Sequence, residues 1–364
     1  MKVLVDHQIF LSQRFGGISN YHSIIHQTIN DGQAADRSTI LALGSNNEYL
    51  DTKMAFLKPL NIRGKKVLRV INERTVTRMM PSFDVFHPSY YDNYFLTVAG
   101  KPPFVLTVHD MIPERNFYHD DIGRTLISNK KNLIYKAARI IAISEATKKD
   151  LLSFYDIDPD RIDVIHHGYP VTFDKLRNQA ATINMPAPLK PYFLFVGTRY
   201  AYKNFPFFIE SIANFLREED MEVRVVGPLP SPAEQQLLES LEIGARVLFC
   251  GQVSDMELFH LYNQAYAFVF PSLEEGFGLP LLEAATAGCP ILCSDIEVFR
   301  EIAGDSALYF DPRSKEDFAG QMQTVLSGES QRSQLVARGA DNLKRFSWSA
   351  ATKKTLETYR KALL

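Results

Sequence analysis

Glu275-Gly-Phe-Gly-Leu-Pro-Leu-Leu-Glu283 sets two carboxylates around a glycine-rich loop, and Pro280 stands where a helix would begin. An apolar run, Tyr266-Ala-Phe-Val-Phe270, precedes it and is closed by Pro271-Ser272. The order is strand, glycine loop, helix. Proline suits the first helical turn, where no N–H partner is needed. Gly288 and Pro290 stop the helix about two turns later. The positive end of the helix dipole then faces the loop, which favours an anion. A phosphate held there leaves Glu275 and Glu283 to accept from hydroxyls. Phosphates together with ribose and hexose hydroxyls describe a nucleotide sugar.

The same alternation runs outward in both directions. Short apolar runs at 2–6, 38–43, 85–88, 104–108, 139–143 and 163–166 read as strands of a first half. Runs at 192–197, 222–227, 246–251, 266–271, 290–294 and 308–310 do so for a second. Continuous Val, Ile, Leu and Phe runs suit parallel strands covered on both faces, and alternation with helical patterns predicts doubly wound α/β domains. The expected division is 1–175, a linker at 176–190 containing Pro186 and Pro188, a second domain at 191–345, and a last helix at 346–364. Each glycine or charged motif follows a strand, and open α/β sheets bind ligands beyond the carboxyl ends of their strands. Two such edges facing an interdomain cleft are the expected layout.

Composition excludes several classes. The 364 residues carry a net charge of −2, with 46% hydrophobic and 23% charged residues, which describes an ordinary globular chain of about two domains and argues against general nucleic-acid binding. Cys250, Cys289 and Cys293 form no metal-binding spacing and lie in or beside apolar runs, so they read as buried free thiols of a reducing compartment. The start, Lys2-Val-Leu-Val5, lacks the sections of a secretion signal, and no apolar run approaches about 18 residues. The expectation is a cytoplasmic protein that can touch a membrane surface. Asn61–Met80 is the segment expected to do so: Arg63, Lys65, Lys66, Arg69, Arg74 and Arg78 oppose a single Glu73, and Val67, Val70 and Ile71 supply apolar side chains.

Gly16-Gly17, Val108-His109-Asp110, Ala142-Ile-Ser-Glu145, Val196-Gly-Thr-Arg199 with Lys203-Asn204, Gly251-Gln-Val-Ser254 and Glu275–Glu283 occur in one order. In that order they resemble the retaining GT-B glycosyltransferases of family 4, over most of the chain. Within that family the wording is most similar to mannosyltransferases of bacterial polysaccharide assembly. The resemblance implies two Rossmann-like domains, the first taking the acceptor and the second the donor. It implies transfer of a hexose from a nucleoside diphosphate sugar with retention, GDP-mannose being the first candidate and UDP-glucose or another UDP-hexose the second, to a glycan or polyprenyl-linked acceptor. It assigns Arg199 and Lys203 to the diphosphate, His109 to the donor hexose and Glu283 to the ribose. Glu275 is assigned to hexose hydroxyls with Gly276, Phe277 and Gly278, and Gly251 and Val253 to the nucleobase wall. Gly16, Gly17, Gly197, Asn204, Ser272 and Leu279 complete the expected donor contacts.

Chemistry supports these assignments unequally. Fixed cations aimed at the leaving diphosphate stabilise developing charge, with Arg as a fork and Lys as a point charge. The plain alternative is two exposed cations at a helix start. Paired glycines let backbone approach a ligand, or make only a tight turn. His109 ends a strand, where an imidazole can face a ligand or serve the core; His87, Asp6 and His7 have similar places, and Asp110 is expected to orient a loop. Glu283 lies where the helix dipole favours any carboxylate. Ser254 with Glu257 is a capping box in its own right. Asp156-Ile-Asp158 and Asp158-Pro-Asp160 mimic a metal–diphosphate motif but fall in a polar turn, and the cations make a metal unnecessary. A non-catalytic two-domain binding protein is the rival class. An NAD dehydrogenase would need a later glycine that Gly16-Gly-Ile-Ser-Asn20 lacks.

Overall fold

The computed structural model describes the chain except for residues 33–34, 51–61, 118–119 and 180–187; at 62–65, 116–117 and 179 it describes backbone only. The chain forms two compact units, Met1–Gly168 with Ser347–Leu364, and Tyr169–Phe346. The second unit starts earlier than the expected linker allows. Helix Val171–Gln179 packs on helix Asp255–Gln264, with the Phe173 ring 5.6 Å from Phe259 and 6.0 Å from Tyr262. Residues 180–187 of the expected linker lie outside the described residues.

Six parallel strands serve the first unit: β1 Lys2–Val5, β2 Arg37–Ile40, β3 Val85–His87, β4 Val105–Val108, β5 Arg139–Ala142 and β6 Ile162–Val164. They pair as β2-β1-β3 and β4-β5-β6, and a single parallel bridge, Phe86 to Phe104, links the two groups. The chain therefore leaves β1 first to one side and then to the other. The last helix, Trp348–Lys361, packs on helix Gly17–Asp31 and on β5. Its Thr358 hydroxyl donates to Asp163 at 2.9 Å, and Arg360 pairs with Asp36 at 2.6 Å.

The second unit holds β7 Tyr192–Val196, β8 Glu222–Val226, β9 Val247–Gly251, β10 Ala267–Phe270, β11 Ile291–Ser294 and β12 Ala307–Phe310. All pair in parallel in the order β12-β11-β10-β7-β8-β9. Numbered within the unit this is 6-5-4-1-2-3, the doubly wound order in which the winding reverses between β7 and β10. Helix Phe205–Glu218 shows why the layers close. Pro206 stands at its start, and Phe205, Phe208, Ile209, Ile212, Ala213 and Leu216 recur at helical spacing and are all buried against the sheet. Each large apolar side chain so covered contributes about 1.5–3 kcal/mol. Cys289 and Cys293 are buried in this unit, while Cys250 is only half-buried, a departure from the expected three buried thiols.

Candidate donor and acceptor sites

The second unit gathers its motif residues at the reversal point. Gly197 follows β7, and the loop beyond it carries Arg199, Lys203 and Asn204; β10 ends just before Pro271-Ser272, and its loop carries Glu275 to Gly278. The Leu273 amide donates to the Tyr202 carbonyl at 2.7 Å and ties the two loops together. Lys203 Nζ then meets Glu275 Oε1 at 2.5 Å, and Ser272 Oγ donates to the same oxygen at 2.8 Å. Both charged side chains are nearly covered, 13% and 12% exposed, and the ammonium lies 5.1 Å from the centre of the Phe270 ring.

Arg199 does not share that point. Its Nε reaches Glu234 Oε1 at 2.5 Å, its Nη2 reaches Glu234 Oε2 and the Leu229 carbonyl, and it lies over the Phe249 and Phe205 rings. The two cations assigned together to the diphosphate thus stand in two separate ion pairs, and neither is exposed as the plain alternative had it. Burial raises the Glu234 carboxyl, but the Arg199 fork and the bonds from Ser231 outweigh it and hold Glu234 below the usual range. Ser231-Pro-Ala-Glu234 is a capping box readable in the sequence; its pairing with Arg199, 35 residues away, is not. Asn204 also has a structural duty: it adopts a left-handed φ of 56°, as asparagine tolerates, and its amide donates to the Pro312 carbonyl at 2.9 Å.

Two glycines here are required by shape. A Cβ on Gly227, at φ 143°, would lie 2.3 Å from the Gly197 carbonyl, because β7 and β8 turn away side by side. Gly278 caps helix Leu279–Thr286 at φ 94°, with Leu281 and Phe299 each 3.1 Å from where a Cβ would be. Phe277 is buried, and Leu279 opens the helix. Glu283, inside that helix, accepts from the Tyr262 hydroxyl at 3.0 Å. Burial disfavours its charge and raises its carboxyl to about 7; the Tyr262 bond pulls the other way, and Asp255 adds to the rise. Tyr262 was not foreseen from sequence. Gly251 closes β9, and Val253 precedes Ser254, which caps helix Asp255–Gln264 with Glu257 in the expected box.

In the first unit, Gly16 caps helix Gly17–Asp31 in extended backbone, and Ser19 Oγ donates to its carbonyl at 3.1 Å. His109 follows β4 and is 7% exposed; its amide donates to the Tyr91 hydroxyl at 3.1 Å, and its Nε2 has no protein partner. Burial, then the neighbouring His167, His87 and Lys130, hold its imidazole well below the usual pKa. His87 is structural, bonded to the Tyr359 hydroxyl at 2.7 Å and the Thr107 hydroxyl at 2.9 Å. Asp6 is structural too, accepting from Gln8, Ser89 and Tyr94. Asp110 turns the chain by accepting from the Ile112 amide, the loop role expected of it. Asp158 caps the short helix Pro159–Arg161 by accepting from the Asp160 amide. His7 lines a cavity of about 760 Å³ with Gln8, Tyr90, Asp92 and Asn129. His7 and Gln8 follow β1 and Tyr90 and Asp92 follow β3, with Asn129 added from helix Asp121–Lys136, so the cavity opens at the point where this sheet also reverses its winding.

Parallel strands wound in both directions, with polar residues concentrated where the order reverses, define the doubly wound α/β class, whose members bind ligands at that point. Residues 183–341 match the glycosyl transferases group 1 family and residues 39–173 match Glycosyltransferase Family 4. The chain is 31% identical over 309 residues to a D-inositol 3-phosphate glycosyltransferase of Frankia alni, covering 77% of this chain and 75% of that one. It is 27% identical over 332 residues to the O-antigen chain mannosyltransferase B of Escherichia coli, covering 84% and 82%. The Anabaena protein HepE, solved with UDP and glucose, superposes with a TM-score of 0.71 at 17% identity, over 98% of this chain and 99% of that one. The chain belongs to the group 1, family 4 glycosyltransferases and has the GT-B fold; it is a hexosyltransferase.

Proposed function

We propose that this enzyme transfers a mannosyl group from GDP-mannose to a hydroxyl of a glycan or lipid-linked glycan, with retention, during assembly of a bacterial surface polysaccharide such as an O-antigen. The observation that carries this reading is the Lys203–Glu275–Ser272 cluster at the β7/β10 reversal. The mannosyltransferase relative supports the choice of sugar. Each cation rests on a carboxylate that a diphosphate can replace. Lys203 exchanges Glu275 for phosphate, which turns Glu275 to the hexose hydroxyls; Arg199 would make the same exchange with Glu234. Glu283 takes the ribose. His109, neutral and with an unpartnered Nε2, bonds the hexose. The bond from the anomeric carbon to phosphate breaks, the acceptor oxygen bonds the same face, and its proton passes to the leaving phosphate. The protein's cations carry the charge, so no metal is required. The acceptor's hydroxylated end enters the cavity beside His7, Gln8 and Asn129.

Incubation with GDP-mannose in excess EDTA should release GDP. Release of UDP from a UDP-hexose, with GDP-mannose inert, would overturn the choice of donor in favour of the second reading, which the HepE likeness supports. Loss of all turnover in EDTA, restored by manganese, would overturn metal independence.

The helix Ile62–Met79 supports a peripheral place at the cytoplasmic face of a membrane. Leu68, Asn72 and Val76 are its buried stripe, while Lys66, Arg74, Arg78, Val67, Val70 and Ile71 are exposed. Arg69 is already paired with Glu73 and Asp92. Asn61 and the side chains of Arg63 and Lys65 lie outside the described residues. No helix among the described residues is long and apolar enough to cross a membrane. Each cation near an anionic surface contributes about 1 kcal/mol. Charge reversal at Lys66, Arg74 and Arg78 should therefore reduce salt-sensitive sedimentation with anionic vesicles; unchanged sedimentation would remove the segment from this role.

A further inference from the structure

Lys130 is fully buried, which is rare for lysine. It stands on helix Asp121–Lys136, and its ammonium donates to the Asp110 carbonyl at 2.5 Å and to Glu114 Oε2 at 3.0 Å. The Tyr91 ring centre is 5.3 Å away. Glu114 is 3% exposed and also accepts from the Tyr155 hydroxyl at 2.9 Å. A buried ion pair of this kind rarely stabilises a fold more than matched apolar side chains would, because both charges lose their hydration. Its location shows what else it does. His109 lies between two backbone bonds: its own amide is held by the Tyr91 hydroxyl, and the next carbonyl, that of Asp110, is held by Lys130. The two anchors touch each other through the Tyr91 ring.

We propose that Lys130 is a positioning residue for the transfer reaction: by gripping the Asp110 carbonyl from beneath, and bracing Tyr91, it fixes the backbone that presents His109. This rests on the reading of His109 as a ligand of the donor hexose. Misplacement by about 1 Å is enough to cost on the order of 100-fold in rate.

Lys130→Met alone strands the buried Glu114 carboxylate, at a cost that endangers the fold, so the informative variant is Lys130→Met with Glu114→Gln, which removes both charges. Its folded state is checked by circular dichroism. With GDP-mannose, or the nucleotide sugar that the donor screen identifies, kcat should fall roughly 10- to 100-fold while the donor KM changes by less than about threefold. Hydrogen exchange at the His109 amide should quicken by about tenfold or more. In a His109→Gln background the same double change should cost less than about twofold more, because the effect acts through His109. Full turnover, additive losses, or an unchanged His109 amide in the folded double variant would each overturn the proposal. If His109→Gln itself turns over donor normally, the role of His109 falls, and the exchange of its amide still decides whether Lys130 holds that backbone.

Discussion

The two sheet edges differ in their buried groups: beside one buried ion pair, Lys130 with Glu114, the first gathers imidazoles, and the second gathers ion pairs. In the first unit His22, His87, His109 and His167 are all buried, and burial holds every one of these imidazoles neutral, His87 and His167 down to about 3. In the second unit the charges are kept and paired, Lys203 with Glu275 and Arg199 with Glu234, and one carboxyl, Glu283, is pushed up to about 7. A neutral wall of donors and acceptors suits hydroxyls. An edge of exchangeable ion pairs suits phosphates. The fold is the same on both sides; what differs is which ionisation state the surroundings favour.

That difference predicts opposite responses to acid. A histidine depressed in the folded state binds its proton more readily once unfolded, so its contribution is present above about pH 6.5 and is lost as pH falls toward the folded value. At pH 5, His87 and His167 each forfeit about 2 kcal/mol on that account. Trp348, the one tryptophan of the sequence, stacks on His167 at 5.5 Å and reports this unit. Its emission should show the first unit opening between about pH 6 and 4. Emission that stays flat to pH 4 would mean that the histidines are not held neutral, and the contrast with the second unit would collapse.

The contrast sharpens at Lys203. If the second edge works through exchange of its carboxylate for phosphate, Lys203→Ala should lower donor turnover by roughly 100-fold or more with the fold retained. A folded variant with normal release of nucleotide would leave the Lys203–Glu275 pair as structure only. Arg199→Ala should lower turnover too; it strands Glu234 as Lys203→Ala strands Glu275, and it also loses the bond to the Leu229 carbonyl, so its melting temperature should drop more than that of Lys203→Ala.

Much of this was legible in the chain and some was not. All twelve strands among the described residues lie at the apolar runs that mark them, because a parallel strand covered on both faces needs a continuous apolar stretch. Glu275 and Lys203 could be singled out since each follows a strand of the type that ends at a ligand edge. The partners could not. Glu234 reaches Arg199, Tyr262 reaches Glu283 and Lys130 reaches Asp110 across separate elements, and no local spacing encodes which helix face meets which loop. Asn204 hides a second duty for the same reason: its motif position suggests a ligand contact, and its amide also donates to the Pro312 carbonyl. Phe173 belongs to the second unit because of two aromatic rings more than 80 residues away.

Glu275 and Glu283 divide the second edge between sugar and nucleotide. Glu283→Ala should weaken bare GDP by roughly 10-fold or more, the size expected for losing a hydrogen bond to a charged group. Glu275→Ala should leave GDP binding within about twofold and impair transfer. Calorimetry with GDP compares them directly, and equal losses would abolish the division.

The smallest effect isolates the Glu283 carboxyl from its ligand. Its folded pKa, about 7, lies above that of an unfolded glutamate near 4.3. The folded protein therefore holds the extra proton between these values, so the stability from Glu283 is complete below about pH 4.3 and is lost as pH rises through 7. This is the reverse of the histidine edge. Glu283→Gln mimics the protonated acid at every pH and keeps the partner for Tyr262. At pH 5 the variant should melt close to the parent. From pH 5 to pH 8 ionisation of the buried carboxyl costs the parent roughly 2–3 kcal/mol more, and the variant should melt several degrees higher. The comparison is made on ligand-free protein, since nucleotide would add its own stabilisation. If the gap in melting temperature between the two proteins does not widen from pH 5 to pH 8, Glu283 is already ionised in the free enzyme, and the second unit keeps all of its carboxylates charged.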